Sequence, residues 1–174
     1  MDIMISIIIP AFNCSAALSE CLSALKKQTV KPLETIVVDD GSLDDTAEVA
    51  ESFDDVQVIR CLKQKGAGAA RVTGAKKARG DIIAFLDADC LIVNPEMDML
   101  EMPAVSAVKD IGYGGISAGV LVLEPDEEIY KDMLVEINNT EYDNTYSDQS
   151  FLDWYLKKKD MWNEIPIHYN ALQH

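Results

Sequence analysis

The sequence predicts an α/β protein built on a mostly parallel, doubly wound sheet. Short apolar runs that suit buried strands alternate with amphipathic segments that suit helices through the first half of the chain. Right-handed crossovers between such strands put helices on both faces of the sheet. The chain has 174 residues, of which 48% are hydrophobic, so it can form one globular domain with one substantial core.

Four strands and three helices are predicted in the first half. Met4–Ile9 is a continuous apolar run, as expected for a strand buried on both faces, and Pro10 is expected to stop its hydrogen-bond ladder. A helix over Ser15–Gln28 follows. Ser42 is the expected N-cap of the next helix, and Gly80 is expected to end the third. The other predicted elements are the strand Glu34–Val38, the helix Asp44–Ser52, the strand Val56–Arg60, the helix Gly68–Ala78 and the strand Asp81–Leu86.

The second half has a less regular pattern. Between Leu91 and Gly115 the periodicity is weak, and we expect a short helix, a strand near Val105–Val108 and loops. Ile116–Leu123 is a clear strand, and Pro125 suits the first turn of the helix after it. The other expected elements are a helix over Asp126–Ile137, a polar loop over Asn138–Tyr146, a helix over Asp148–Lys158 capped by Ser147, and a final strand over Ile165–Tyr169.

Charge and cysteine content exclude several classes of protein. Fifteen basic against thirty acidic residues give a net charge of −15, which excludes non-specific binding of nucleic acid. The four cysteines form no C-x-x-C pair, so we expect buried free thiols in a reducing, cytoplasmic compartment. The apolar run at residues 3–9 lacks the basic start of a signal peptide, and no run approaches the roughly 18–20 residues of a transmembrane segment.

The strongest local signal is Asp87-Ala88-Asp89, which directly follows the apolar strand that ends at Leu86. Residues two apart on an extended segment point the same way, so both carboxylates are expected to face one site. Ligands of open α/β sheets bind at the carboxyl ends of the strands. Two hard oxygen ligands there suit Mg²⁺ or Mn²⁺, with phosphates of a ligand in other positions. The alternative is a solvated turn that carries two acidic residues.

A second acidic pair, Asp39-Asp40, closes the second predicted strand and is expected on the same sheet edge as Asp87. Asp39 is placed to accept a hydrogen bond from the N–H of a nucleobase, and Asp40 to face a ribose or solvent. A helix-capping turn is the alternative. It explains Gly41 and Ser42, but it does not explain two adjacent acids at the end of a strand.

Two more segments are candidates for ligand contacts. Phe12, in the segment Pro10–Asn13 after the first strand, offers a flat apolar surface for a nucleobase, although a core phenylalanine is an equal alternative. A basic segment with several glycines leads into the third helix. Its backbone amides near Gly68, together with Arg71, could receive a diphosphate. The segment has neither the P-loop pattern nor the glycine pattern of dinucleotide-binding proteins.

Taken together, residues 5–89 resemble the nucleotide-binding half of family 2 glycosyltransferases, which have the GT-A fold. The matching segments are Ser6–Asn13 (SIIIPAFN), Glu34–Ser42 (ETIVVDDGS), Gly66–Arg71 (GAGAAR) with Gly74, and Gly80–Asp89 (GDIIAFLDAD). Four motifs in this order and spacing are a specific signal. The resemblance implies a single-domain, Rossmann-like GT-A fold with a mixed, mostly parallel sheet.

The same resemblance implies roles for individual residues. Asp39 and the segment Pro10–Asn13 would contact the base, usually uracil, and Arg71 would lie near the nucleotide. Asp87 would reach the ribose or the metal, and Asp89 would bind the metal, Mn²⁺ or Mg²⁺. The nucleotide-binding residues expected on this basis are Pro10, Ala11, Phe12, Asn13, Asp39, Gly68, Arg71, Asp87 and Ala88, and the metal ligands are Asp87 and Asp89.

From residue 85 to residue 170 the chain also resembles the later half of glycogenin-like family 8 glycosyltransferases. The shared Asp87-Ala88-Asp89 would be the seam of a hybrid, either a divergent natural protein or a constructed chimaera. The matching segments are Phe85–Val93, Asp110–Tyr113, Ser117–Pro125, Ser147–Ser150 and Ile165–Asn170.

The chain departs from both families at positions that matter for catalysis. Ser117 stands where family 8 usually has asparagine, so a side-chain amide expected near the donor sugar is shortened to a hydroxyl. Asp148 is retained and is the candidate catalytic or sugar-facing carboxylate, with a first-turn helix acid as the alternative. His174 is a weak match to the third metal ligand of family 8, and His168 is assigned a structural role. The Glu-Asp pair that carries the family 2 base is not recognisable.

The sequence thus predicts a metal-dependent glycosyltransferase of the hexosyltransferase type. It would move a sugar from a nucleotide-sugar, a UDP-sugar, to an unknown sugar, lipid or protein acceptor. Residues 1–89 would form the nucleotide-binding half of one domain, and residues 90–174 the half for sugar and acceptor. The alternative is a non-catalytic nucleotide-sugar-binding or constructed GT-A domain. A sugar nucleotidylyltransferase is disfavoured, because that class has a glycine-rich, arginine-containing loop where this chain has Pro10–Asn13.

Overall fold

The computed structural model describes residues 4–91, 105–109, 116–139, 148–165 and 171–172. They form a seven-stranded sheet in the order β3-β2-β1-β4-β7-β6-β8 and a separate ribbon of β5 and β9. The strands are β1 (Ile5–Ala11), β2 (Glu34–Asp39), β3 (Val56–Arg60), β4 (Ile82–Leu86), β5 (Cys90–Leu91), β6 (Ser106–Lys109), β7 (Ile116–Leu123), β8 (Asn163–Ile165) and β9 (Ala171–Leu172). The helices are α1 (Ser15–Lys26), α2 (Thr46–Glu51), α3 (Ala67–Ala75), α4 (Glu127–Asn139) and α5 (Asp148–Lys159).

The sheet is mixed and mostly parallel, as the sequence predicts. β1 runs parallel to both of its neighbours, β2 and β4, and β2 also runs parallel to β3. β7 is antiparallel to β4 and β6, and β8 is parallel to β6. After β3 the chain returns to the other side of β1 to add β4, so the winding direction reverses between β1 and β4. Such a switch point is where open α/β sheets bind ligands.

Helices cover both faces of the sheet because β1 is apolar on both of its sides. Successive strand residues point to opposite faces, so Ile7 and Ile9 pack in one cluster with α1 and α2. Ile8 points the other way and packs in a second cluster with Ala70 of α3. The continuous apolar run at the start of the sequence is therefore a strand buried on both faces, as predicted.

The second half of the chain adds a third cluster, in which α5 packs on β7. Phe151 and Tyr155 of α5 pack with Leu121 of β7 in this cluster. Phe85 of β4 contacts both this cluster and the one beneath α3, so α3 and α5 share a face of the sheet. The buried Asp153 carboxylate accepts a 2.8 Å hydrogen bond from the Ile116 amide and thereby ties α5 to the start of β7.

Two predicted helix boundaries in the first half are wrong. Ser42 does not cap α2, whose N-cap position is Asp45, because the Ser42 hydroxyl oxygen instead accepts a hydrogen bond from the Asn13 amide at 3.0 Å. Gly80 does not end α3, which already ends at Ala75. Gly80 lies against β1, where a Cβ atom would approach the Ser6 nitrogen to 2.6 Å, so it permits a close approach between two backbones.

The later strands and helices lie where they are predicted, although several of their first and last residues differ. β7 has the predicted limits, and β6 overlaps the strand expected near Val105–Val108. Pro125 precedes α4 instead of lying in its first turn. Asp126 caps the helix, since its Oδ1 accepts hydrogen bonds from the Glu128 and Ile129 amides. β5 was not predicted, because a two-residue strand leaves no pattern in the sequence.

Some predictions fall wholly or partly outside the described residues. The strand expected over Ile165–Tyr169 coincides with β8 at Ile165 alone, and residues 166–170 are not described. α4 extends to Asn139, into the loop expected over Asn138–Tyr146, and residues 140–147 are not described. The short helix expected after Leu91 falls largely within residues 92–104, which are also outside the described part.

The four cysteines are free thiols, so the expected absence of a disulfide framework holds. Cys21 and Cys90 are buried, whereas Cys14 and Cys61 are half-buried. Among the residues that the structure describes, no helix is both long enough and apolar enough to cross a membrane.

A buried carboxylate, Glu34, joins three elements at the amino ends of the parallel strands. It accepts hydrogen bonds from the Ser6 hydroxyl at 2.8 Å, the Arg79 amide at 2.7 Å and the Gln57 side chain at 3.0 Å. Burial alone would raise the pKa of Glu34, but the hydrogen bonds from Ser6 and Arg79 outweigh it and hold the pKa below its ordinary value of 4.5.

We expect Gly80→Ala to lower the free energy of unfolding by about 1–3 kcal/mol, because the new Cβ would press on the backbone at Ser6 of β1 and at Met4, which precedes β1. Urea unfolding followed by circular dichroism measures this loss. Lys77→Ala, an exposed change nearby, should stay within about 0.5 kcal/mol of the parent. Equal stability of the Gly80→Ala variant and the parent would show that β1 has room at this point.

We expect Glu34→Gln to remove a stabilisation that depends on pH. The pKa of Glu34 is lower in the folded chain than in the unfolded chain, so its contribution is present above pH 4.5 and is lost as the pH falls below that value. The variant should be less stable than the parent at neutral pH, and the difference should shrink as the pH falls below 4.5. Urea unfolding at a series of pH values tests this, with the exposed Asp55→Asn as control. A constant difference at every pH would contradict it.

Candidate functional site

The candidate site lies where β1 and β4 separate at their carboxyl ends. Even-numbered residues of β1 form backbone hydrogen bonds with β4. The same pattern holds just before the strand, where the Met4 carbonyl accepts a hydrogen bond from the Ile82 amide. The last pair of residues in register is Ile8 and Phe85. Pro10 is the next even-numbered residue, and its lack of an N–H costs no bond because β4 no longer pairs there. A crevice therefore opens between the two strands at the switch point.

Pro10 does not stop the ladder of β1 on its other side, which corrects the prediction. β1 continues to Ala11, which pairs with Asp39 of β2, and the Ala11 carbonyl accepts a 2.8 Å hydrogen bond from the Asp40 amide. Odd-numbered residues bond toward β2, so the proline does not interrupt this side. Pro10 and Ala11 are buried at the floor of the crevice, whereas Phe12, just after the strand, is 38% exposed.

The loops after β1 and β2 fix each other beside the crevice. The Asn13 amide donates to the Ser42 hydroxyl at 3.0 Å, and the Asn13 side-chain oxygen accepts from the Leu43 amide at 2.8 Å. Asn13 has a positive φ of 49°, which asparagine tolerates better than most residues. Asp39 is buried, and its Oδ1 accepts from the Ser42 amide at 3.1 Å. No hydrogen bond to its Oδ2 is formed within the described part of the chain, so this oxygen can accept from a ligand.

Asp87, Ala88 and Asp89 form a turn after β4, whereas the prediction placed them on an extended segment. The Cys90 amide donates to the Asp87 carbonyl at 3.0 Å, which closes a reverse turn across the three residues. Asp87 is half-buried, Ala88 is buried and Asp89 is exposed. The prediction that Asp87 and Asp89 point the same way because the segment is extended is therefore wrong, since the segment is a turn. The two carboxylates have different surroundings there.

The charges of both carboxylates act on the same two neighbouring thiols. Burial, together with the negative charges of Asp87 and Asp89, raises the pKa of Cys21 to about 12 and that of Cys90 to about 12. Two acids that act on the same two buried thiols concentrate negative charge at the end of β4. These thiols stay protonated at neutral pH and are not nucleophiles there.

A cation pairs with one of these acids. Arg71 of α3 is almost buried, and its guanidinium contacts Oδ1 of Asp87 at 2.6 Å. The arginine thus lies beside the crevice, between the start of α3 and the end of β4. Its planar group can also hold phosphate oxygens, which it binds in the same bidentate manner as carboxylates.

Asp40 takes a role that the sequence did not reveal. It was expected to face a ribose or solvent, but it is 3% exposed and its two oxygens accept hydrogen bonds from the backbone. The Lys65 amide donates to both oxygens at 3.0 and 2.9 Å, and the Gly66 amide donates to Oδ2 at 2.7 Å. Gly66 is the N-cap residue of α3, with a positive φ of 94°. The acid therefore anchors the start of the helix that carries Gly68 and Arg71.

Gly119 of β7 is a second site residue that sequence reasoning missed. Its carbonyl accepts from the Asp87 amide at 2.9 Å, so β7 holds the acidic turn in place. A Cβ atom on Gly119 would lie 3.4 Å from Oδ2 of Asp87 and 3.2 Å from the Cys90 sulfur. The glycine leaves space beside the second oxygen of Asp87. The signal for it was a small residue in an otherwise apolar strand.

The residues at the end of β4 fit a hard divalent cation in their chemistry. Asp89 offers an exposed carboxylate, and Asp87 offers Oδ2 beside the space left by Gly119. Within the described ranges, no group of three or more histidine, cysteine, aspartate or glutamate side chains is arranged to hold a metal ion.

Of the candidates in the second half, the structure describes Ser117 and the backbone of Asp148. The Ser117 hydroxyl oxygen accepts a 3.2 Å hydrogen bond from the Gly119 amide on the same strand. Asp148 is the first residue of α5. The proposed roles of the Asp148 side chain, His168 and His174 concern parts of the chain that are not described.

A cavity of about 520 Å³ lies at the opposite edge of the sheet, near the amino end of β4. Its lining is mainly apolar and includes Ile83, Leu123 and Met133. The groups that can bind a charged ligand are at the other edge, so we assign the site to the crevice between β1 and β4 and not to this cavity.

Comparisons with known proteins find glycosyltransferases among the relatives of this chain. A 128-residue segment of the chain is 35% identical to glycosyltransferase AglE of Haloferax volcanii, covering 70% of this chain and 41% of the relative. An 89-residue segment is 40% identical to the Escherichia coli UDP-Glc:alpha-D-GlcNAc-diphosphoundecaprenol beta-1,3-glucosyltransferase WfaP, covering 49% of this chain and 35% of the relative. The chain thus spans about two fifths of the length of these relatives.

Solved structures support the fold. The chain superposes on the mannosyltransferase PcManGT from Pyrobaculum calidifontis, in complex with GDP-Man and Mn²⁺, with a TM-score of 0.65 and 17% identity. The superposition covers 100% of this chain and 55% of that one, and it establishes a GT-A architecture. The family model described as Glycosyl transferase family 2 matches residues 6–153. The chain therefore belongs to glycosyl transferase family 2.

Proposed function

We propose that this chain binds a nucleotide-sugar in the crevice between β1 and β4 and transfers the sugar to an acceptor. One observation carries the proposal: groups that suit each part of such a donor meet at one sheet edge. Asp39 offers an acceptor oxygen for a base, Arg71 offers a cation for the diphosphate, and Asp89 offers a ligand for a metal. No single one of these groups would suffice.

The base would lie between the loops that follow β1 and β2. Phe12 offers an exposed ring, and Asp39 Oδ2 can accept from an N–H of the base, so both support a position beside Asn13. Uracil has one such N–H group, and a UDP-sugar is our proposed donor. The name of the relative WfaP includes a UDP-sugar, whereas the structural neighbour holds GDP-Man, so UDP and GDP must be compared directly.

The diphosphate would lie over the start of α3 and the acidic turn. The first amides of a helix point outward without intrahelical acceptors, so those at Ala67 and Gly68 can bind phosphate oxygens. Arg71 adds positive charge, and in the free chain Asp87 holds its guanidinium. These groups stabilise the negative charge that grows on the departing nucleoside diphosphate.

We propose Asp87 and Asp89 as ligands of Mn²⁺ or Mg²⁺. A bound divalent ion would supply Lewis-acid neutralisation of the leaving diphosphate. The donor set consists of two carboxylates on one turn, which matches the oxygen preference of both ions. Asp87 would also contact the nucleotide, as would the buried Ala88 between the two acids.

Asp148 remains our candidate for the carboxylate near the sugar. If the reaction inverts the anomeric centre, a carboxylate must take the proton of the acceptor hydroxyl, and Asp148 would be that base. If the reaction retains configuration, Asp148 would position the sugar. Its place at the start of α5, which packs on β7 beside the acidic turn, supports a role on the sugar side of the site.

We further propose that residues 1–174 act as one unit, with 1–89 holding the nucleotide and 90–174 facing the sugar and acceptor. The family 2 match continues past residue 89 to residue 153, and the resemblance of residues 85–170 to family 8 stays a prediction. The free thiols fit a reducing compartment, so we propose a cytoplasmic location.

We expect Asp89→Asn to lower the affinity for UDP in the presence of Mn²⁺ by about tenfold or more, because one anionic ligand of the metal is lost. Calorimetry with UDP and with GDP, each with and without Mn²⁺, measures the effect. Asp55→Asn, which removes an exposed carboxylate near the start of β3, serves as the matched control and should bind like the parent.

These titrations, together with an assay of UDP release from UDP-sugars, decide between the candidate functions. Metal-dependent binding without release of nucleoside diphosphate from any UDP-sugar would favour the non-catalytic, donor-binding alternative. Failure of the parent chain to bind either nucleotide would refute the donor site altogether.

We expect Asp148→Asn to reduce the turnover number by about a hundredfold or more while the affinity for UDP stays within about twofold. Release of UDP from a UDP-sugar, measured over a range of pH, reports both the rate and its ionisation. If Asp148 is the base, the variant also loses the acidic limb of the pH profile. An unchanged turnover number would remove Asp148 from the mechanism.

A further inference from the structure

β2 carries a buried acid at each end, and the two acids hold the two ends of the α3 segment. Glu34, the first residue of β2, accepts from the backbone amide of Arg79, which follows α3. Asp40, directly after β2, accepts from the amides of Lys65 and Gly66, which precede α3. The helix is therefore clamped to β2 at both ends, and only the Asp40 end faces the crevice.

The Asp40 clamp, by which we mean its hydrogen bonds with the Lys65 and Gly66 amides, consists of short contacts to a charged group. A carboxylate that accepts three charge-assisted contacts from two amides, at 3.0, 2.9 and 2.7 Å, fixes the backbone that it touches. The contacts span the change of backbone direction at Gly66, whose φ is 94°. A Cβ atom there would meet nothing within 4 Å, so the glycine is required by the conformation and not by space.

This clamp sets the position of the groups proposed to receive the diphosphate. Gly66 is the N-cap of α3, and Gly68 and Arg71 follow within the next five residues. A shift of the helix start would move the first-turn amides and would change the 2.6 Å contact between Arg71 and Asp87. Small displacements of groups that bind charge have large effects on binding.

We propose that Asp40 is a positioning residue for the donor diphosphate, because it fixes the start of α3 and so aims the helix amides and Arg71 at the crevice. The inference rests on the proposed function for its consequence in binding. The anchoring of residues 65–71 by Asp40 does not depend on that function and can be measured without a ligand.

The test compares Asp40→Asn with Glu34→Gln in the full chain. Each change replaces a buried carboxylate at one end of β2 by its amide, so both should lower thermal stability, but only Asp40→Asn loosens the end at the crevice. Calorimetry with UDP and Mn²⁺ should show an affinity about tenfold or more weaker for Asp40→Asn and within about twofold of the parent for Glu34→Gln. Amide hydrogen exchange of residues 62–72 should accelerate in the Asp40 variant and not in the Glu34 variant.

Gly66→Ala provides a second route to the same change. It strains the positive φ at the N-cap without removing a charge, and it should weaken UDP binding in the same direction as Asp40→Asn. Because both changes act through one loop, their effects in the double variant should be less than additive.

An Asp40→Asn variant that binds UDP like the Glu34→Gln variant, with slow exchange over residues 62–72, would overturn the proposal. Should Asp40→Asn fail to fold, unchanged affinity in Gly66→Ala would do the same. If the parent binds neither UDP nor GDP, the proposed function fails, and hydrogen exchange alone then decides whether Asp40 anchors α3.

Discussion

The structure depends on the pairing of β1 with two parallel neighbours, β2 and β4, which lie on opposite sides of it. β2 pairs with β1 on one side, and β4, which follows β3 and α3 along the chain, pairs with it on the other side. The odd-numbered residues of β1 bond to β2 along its whole length, whereas the even-numbered residues lose β4 after Ile8. This difference opens the crevice, and a proline at position 10 fits there without loss of a hydrogen bond. The candidate site is thus a consequence of sheet topology before any charged residue is considered.

Buried carboxylates then fix what surrounds the crevice. Glu34 and Asp40 are both withdrawn from solvent, and such groups are tolerated only when hydrogen bonds replace their water. Each meets this need with backbone amides that flank α3. The same interactions that satisfy the acids therefore hold the helix that carries Arg71, so the electrostatics of the fold and of the site are coupled.

The acidic turn after β4 places two like charges, those of Asp87 and Asp89, close together, with the opposite charge of Arg71 against Asp87. Asp87 and Asp89 add to the effect of burial in raising the pKa of the Cys21 and Cys90 thiols, and Arg71 compensates one of the two charges. A site with this excess of negative charge favours a divalent cation, and the cation in turn favours a diphosphate. In a chain with a net charge of −15, Arg71 and the first amides of α3 supply local positive potential where the proposed anionic donor would bind.

The sequence by itself determined the mixed, mostly parallel sheet and the alternation of its strands with helices. Short, mainly apolar runs such as Ile5–Ile9 favour strands covered on both faces, and their alternation with amphipathic helical segments predicts the fold class. The motifs around Asp39 and Asp87 lie at strand ends, at the edge where the crevice between β1 and β4 opens. Tertiary structure decided the roles of Asp40 and Gly119, since a distant loop and an antiparallel strand supply their partners. It also decided that Asp87 and Asp89 lie on a turn, because a hydrogen bond across three residues overrides the alternation of an extended chain.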